Sequence, residues 1–117
     1  MQPGAHTPEE LETLFEDACV TRDREAVAGL FEDGAVLVAG ATPKQARGVQ
    51  EISRLATEMW ARDLTYLADP RQVLQARSTA LVVARHGISV VRRAGDGGWR
   101  YAIALLTATH PTNEEET

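Results

Sequence analysis

The 117-residue chain is poor in several things, and each shortage excludes a class of protein. It has one cysteine, Cys19, so neither an intramolecular disulfide nor a Cys-rich metal site is open to it. Cys19 falls on the edge of an apolar helical stripe, the place of a packed thiol rather than a nucleophile. No apolar run approaches the roughly 20 residues that cross a bilayer. Met1 to Gly4 offer neither a basic nor an apolar leader segment, so no signal peptide is expected and the default location is cytoplasmic. A basic stripe is missing as well. Twelve basic and seventeen acidic side chains give a net charge of −5, with three of the negatives, Glu114, Glu115 and Glu116, at the C-terminus. Nothing there neutralises phosphates, and nucleic-acid binding is disfavoured. Lysine is nearly absent: eleven of the twelve cations are Arg, a bias that fits a GC-rich bacterial genome.

What is present suits one soluble α+β domain. Hydrophobic residues make up 44% and charged residues 25%, the composition of an ordinary globular core at this length. Residues 1–6 read as a flexible leader, 7–110 as a single domain, and 111–117 as an acidic disordered tail. Thr7-Pro8-Glu9-Glu10 starts a helix by three signals: a capping hydroxyl, a proline at the first position and a capping-box acid. Leu11, Leu14, Phe15 and Ala18 then recur at helical spacing, with Glu12, Glu16 and Asp17 expected to face solvent. Asp23 caps a second, short helix with a stripe of Ala26, Val27, Leu30 and Phe31. Ala35 to Ala39 is a short strand, and Gly40 to Gly48 a loop. A third helix is expected from about Val49 to Arg62, burying Ile52, Leu55, Ala56, Met59 and Trp60. From Leu64 onward the pattern becomes extended. Thr79 to Arg93 reads as a long β-rich segment, Ala94 to Gly98 as a hairpin turn, and Trp99 to about Thr109 as the last strand. Helices first and antiparallel strands afterwards is the order of an α+β fold.

Three stretches resemble the nuclear-transport-factor-2-like superfamily, which includes ketosteroid isomerases and SnoaL-like cyclases. The first runs from Arg22-Asp23 through Leu30-Phe31-Glu32-Asp33-Gly34-Ala35-Val36. The second is Arg47-Gly48 with Glu51-Ile52, and the third is Val90-Val91-Arg92-Arg93 with Asp96-Gly97-Gly98-Trp99-Arg100-Tyr101. The resemblance implies a cone-shaped α+β barrel, cystatin-like in topology, with N-terminal helices packed on a strongly curved antiparallel sheet. It also implies a conical pocket, and a homodimer through the convex sheet face.

Laid on the isomerase pattern, the chain lacks the catalytic groups. The base position falls at Ala39, the tyrosine position near Phe15 and the second acid around Gly87 and Ile88. An abstracted proton and a stabilised oxyanion need a carboxylate and donors that these residues do not supply. The leading expectation is therefore a binding or accessory protein with an apolar pocket for a small hydrophobic, polycyclic or lipid-like molecule. Phe15, Phe31, Met59, Trp60, Tyr66 and Tyr101 are its expected lining, and Arg47 the candidate for a ligand carboxylate. A SnoaL-like cyclase, isomerase or dehydratase is the enzyme alternative, with His86 its candidate base. By alternation His86 shares a strand face with Val82 and Ala84, and an imidazole titrates near neutrality. A dimerisation module without a ligand is the third reading. No His or carboxylate pair has metal-ligand spacing, and no cofactor is implied.

Overall fold

A computed structural model describes residues 4–39 and 45–110. The expected tail, the first three residues of the expected leader, and residues 40–44 of the expected loop, Pro43 among them, lie outside the described residues.

Helix α1 spans Pro8–Thr21, with the Thr7 hydroxyl accepting from Glu10 N at 3.0 Å. Glu10 does not close the capping box on Thr7. Its carboxylate reaches one residue further and accepts from His6 N at 2.6 Å. Helix α2, Arg24–Gly29, begins where the Asp23 carboxylate accepts from Ala26 N. Phe31 does not extend its stripe but opens strand β1, Phe31–Ala39, which is longer at its start than expected. A three-residue strand β2, Gln45–Arg47, follows before helix α3, Gly48–Ala61. Gly48 joins the two with φ +82°, a left-handed backbone that other residues adopt at a cost.

The remaining strands are β3 (Pro70–Ala76), β4 (Thr79–Ala84), β5 (Gly87–Arg93) and β6 (Trp99–Leu106). The expected single β-rich segment from Thr79 to Arg93 is thus a hairpin, with Arg85 and His86 as its turn. Strand alternation alone hides that break, because the apolar residues continue on both sides of it.

Among the described residues, six strands form one sheet in the order β2-β1-β6-β5-β4-β3. All pairings are antiparallel except β1 with β6, which is parallel. Register slips between Phe31 and Val36, between Pro70 and Gln72, and between Val90 and Val91 bend the strands they interrupt. The result is the expected α+β architecture, a curved sheet with helices against its concave side. Ala5 belongs to it too: it bridges to Trp99 and is fully buried, so the fold begins inside the segment expected to be a leader. Among the described residues, no helix is long and apolar enough to cross a membrane.

Candidate functional site

All six aromatic side chains are buried, and four of them meet. Phe15 comes from α1, Phe31 from the start of β1, and Tyr101 from β6, where it pairs with Phe31 across the parallel ladder. Tyr66 is set by the bridge of Thr65 with Thr109, which ties the segment after α3 to the end of the last strand. Phe15 stacks on Tyr66 with centroids 5.3 Å apart and meets Tyr101 edge-on at 5.5 Å. Phe31 lies 5.0 Å from Tyr101 and 5.6 Å from Phe15. The expected lining residues are therefore in contact with one another on the concave side of the sheet.

At their centre is a residue that the sequence reading placed in solvent. Glu12 has 0% exposure. Its two carboxylate oxygens each accept one phenol: Tyr66 OH donates to Oε1 and Tyr101 OH to Oε2, both at 2.5 Å. The expectation that Glu12 faces outward is wrong. Pro8, Glu12, Phe15 and Cys19 all lie on the buried side of α1 at helical spacing, so position twelve turns inward whatever its side chain. Burial pushes the Glu12 carboxyl up from 4.5, against the two phenols that favour its charged form. Burial and the neighbouring Glu12 charge push both tyrosines up in turn. The cluster can hold or release a proton at a carboxyl shielded from water.

The other expected site residues are dispersed. Met59 and Trp60 are buried near the end of α3. The Trp60 indole Nε1 and Thr65 Oγ1 are buried without a hydrogen-bond partner among the described residues. Burial pushes the neighbouring Cys19 thiol up, against the Tyr66 backbone N–H, which favours its thiolate. Arg47 is exposed at the start of α3, its guanidinium donating to Gln45 Oε1 at 3.1 Å. His86 stands in the β4–β5 turn rather than on a strand face, and its carbonyl accepts from Thr107 N at 2.7 Å. Phe31 also borders an open cleft of about 550 Å³ with Glu32, Val49 and Arg100. A second cleft, of about 270 Å³, lies between β2 and α3, lined by Ala46, Glu51, Arg54, Leu55 and Glu58. Among the described residues, no group of three or more His, Cys, Asp or Glu side chains could hold a metal ion.

No family model and no curated protein matches the chain. Solved structures do. A protein from Thiobacillus denitrificans, put forward as a calcium/calmodulin-dependent protein kinase type II association domain, superposes with a TM-score of 0.75. It shares 16% identity, over 93% of this chain and all of that one. A ketosteroid isomerase-like protein from Erwinia carotovora atroseptica gives 0.70 at 18% identity, covering 88% of this chain and 94% of that chain. An NTF2-like protein with a cystatin-like fold from Novosphingobium aromaticivorans gives 0.66 at 18%, over 85% and 77%. The fold is NTF2-like. Function does not travel with an NTF2-like cone at these identities, because the same scaffold carries unrelated activities.

Proposed function

We propose that this NTF2-like chain works as a homodimer built on the outer face of its sheet. The observation that carries the reading is that face's chemistry. Register and alternation put Leu74 of β3, Ile88 of β5, and Ile103 and Leu105 of β6 on the side away from the helices. They are 48–55% exposed, with half-buried Val83 and Val90 between them. Val36 and Val38 of β1 continue the face through their pairing with Ile103 and Leu105. Five adjacent strands about 4.8 Å apart make an apolar surface roughly 20 Å across, wide enough for the ~800 Å² per partner of a standard interface. A monomer rarely leaves a continuous patch of that size in water. The Thiobacillus neighbour, put forward as an association domain, supports the same reading.

Sedimentation equilibrium tests it. The wild type should be a dimer at micromolar concentration, and Ile103→Asp with Leu105→Asp should be a folded monomer. A monomeric wild type would overturn the reading.

A second reading is favoured by Glu12, Tyr66 and Tyr101. An acid with two phenols inside an aromatic enclosure suits a neutral apolar molecule carrying one hydrogen-bond donor, whether bound only or transformed as in a SnoaL-like enzyme. Because the four rings touch, such a ligand must part them. Native mass spectrometry of protein purified from its host reads this directly: a retained small molecule, lost in Glu12→Gln, is the expected result. The mass of the bare chain in both samples would sink it.

A further inference from the structure

Two features of the molecule meet at one side chain. On its inner side the Phe31 ring packs against Tyr101 and Phe15, with centroids 5.0 and 5.6 Å away. Tyr101 in turn carries one of the two phenols held by Glu12. On its outer side Phe31 walls the open cleft of about 550 Å³, together with Gly29, Glu32, Val49 and Arg100. Phe31 is buried, so its ring stands between the cleft and the cluster behind it.

A ligand that reaches Glu12 must part the four rings, and they are not equally free to move. Tyr66 and Tyr101 are tied through their hydroxyls to Glu12, and moving either breaks a buried hydrogen bond. Phe15 sits within α1, where few rotamers are open, and touches all three other rings. Phe31 has no polar tie. It is the first residue of β1, and strand backbone admits two common χ1 rotamers. Beyond it the ladder with β6 slips register and resumes only at Val36. A displaced ring also has somewhere to go, because about 150 Å³ of apolar space takes a benzene and the cleft is larger.

The chemistry on the two sides of the ring selects the visitor. Glu12 already accepts two phenols, and a carboxylate has lone pairs for about four donors. At the rim of the cleft Glu32 is paired with Arg92, and Arg100 with Asp96, so neither calls for a charged partner. Resting on the ligand-binding reading of Glu12, we propose that Phe31 is the door of that site. A small neutral aromatic molecule with one hydroxyl enters from the cleft by displacing the Phe31 ring, and donates its O–H to the Glu12 carboxyl.

NMR titrations of the full chain with phenol and with toluene test this in wild type, Phe31→Ala and Phe15→Ala. Each variant vacates one ring's volume beside Tyr101, but only in Phe31→Ala does that space open on the cleft. Phenol should bind Phe31→Ala about tenfold more tightly than wild type, because no ring has to be displaced first. It should bind that variant about threefold more tightly than the more apolar toluene, because its hydroxyl finds an acceptor. It should leave Phe31→Ala about tenfold faster than Phe15→Ala, where the door still stands. Equal escape rates from the two variants would overturn the door and leave the ligand-binding reading intact. Toluene binding Phe31→Ala as tightly as phenol, or neither probe binding it, would overturn both. Should an alanine variant fail to fold, Phe31→Leu and Phe15→Leu are compared by the same measures and judged by the same outcomes.

Discussion

The two faces of the sheet depart from the usual rule in different ways, the inner one by a single acid within an apolar core and the outer one by the apolar residues it shows to solvent. The concave face, covered by helices, encloses a carboxyl and two phenols. The convex face, turned to solvent, carries Leu74, Ile88, Ile103 and Leu105 about half exposed. A one-sided antiparallel sheet ordinarily packs its apolar residues inward and leaves the outer ones polar. The contrast teaches that the inner acid is held by phenols of its own chain, whereas the outer apolar residues are left to solvent. An acid inside costs stability unless its hydrogen bonds are complete, and an apolar face outside is stable only if something covers it. Each departure has its own sign, and substitutions on the two faces separate them.

The largest effect belongs to the inner face. Tyr66→Phe with Tyr101→Phe keeps both rings and removes both donors, so the buried Glu12 carboxyl loses both hydrogen-bond partners, at the greatest cost while it is ionised. Stripping the partners from a buried charge costs about 3–5 kcal/mol. Urea unfolding at pH 7 should show a loss of that order. The loss should shrink at lower pH, where a protonated carboxyl leaves no unpaired charge. An equal loss at both pH values would mean that the phenols act by packing alone.

A smaller contrast is available where the faces adjoin. Gly87 pairs with Leu106 on the inner side, and Ile88 pairs with Leu105 on the outer. A Cβ at position 87 would lie 2.7 Å from both Leu105 O and Leu106 Cδ2, one of them a backbone atom that cannot move alone. Gly87→Ala should therefore cost about 1–3 kcal/mol, as overpacking does. Thermal unfolding checks it, and an unchanged midpoint would show that β5 slides away freely.

Much of the fold was legible in the sequence because its signals are local. Thr7-Pro8 and Asp23 begin helices by satisfying free amides, and Gly97, at φ +88°, turns the last hairpin as its composition suggests. The β4–β5 hairpin was missed although Gly87 follows Arg85 and His86 directly, because the apolar alternation runs on through both strands. Nor was the pairing of β1 with β6, which joins residues about seventy positions apart. The centre of the site was half legible. Tyr66, Tyr101, Phe15 and Phe31 were expected to come together and do, yet as mutual contacts around an acid. Glu12 was missed although Phe15 and Cys19 recur three and seven positions after it on the same face. Charge was allowed to outvote spacing. A helix turns by geometry, and only tertiary partners such as the two phenols decide whether a charged residue tolerates the inside.

The smallest effect is expected on the outer face, and its size depends on concentration. Ile88 is 48% exposed, so Ile88→Ser removes side-chain area that a single chain only partly buries. In dilute, dissociated protein the change should be about 0.5 kcal/mol or less, the range of ordinary surface substitutions. If a second copy covers the face, association stabilises the folded state by mass action, and that contribution grows with protein concentration. The midpoint of wild-type thermal unfolding should then rise from nanomolar to micromolar protein, while Ile88→Ser rises less. The gap between the two proteins should widen as concentration increases. A gap that stays constant over three decades would show that Ile88 meets only its own chain, and would leave the apolar outer face without the partner argued for it.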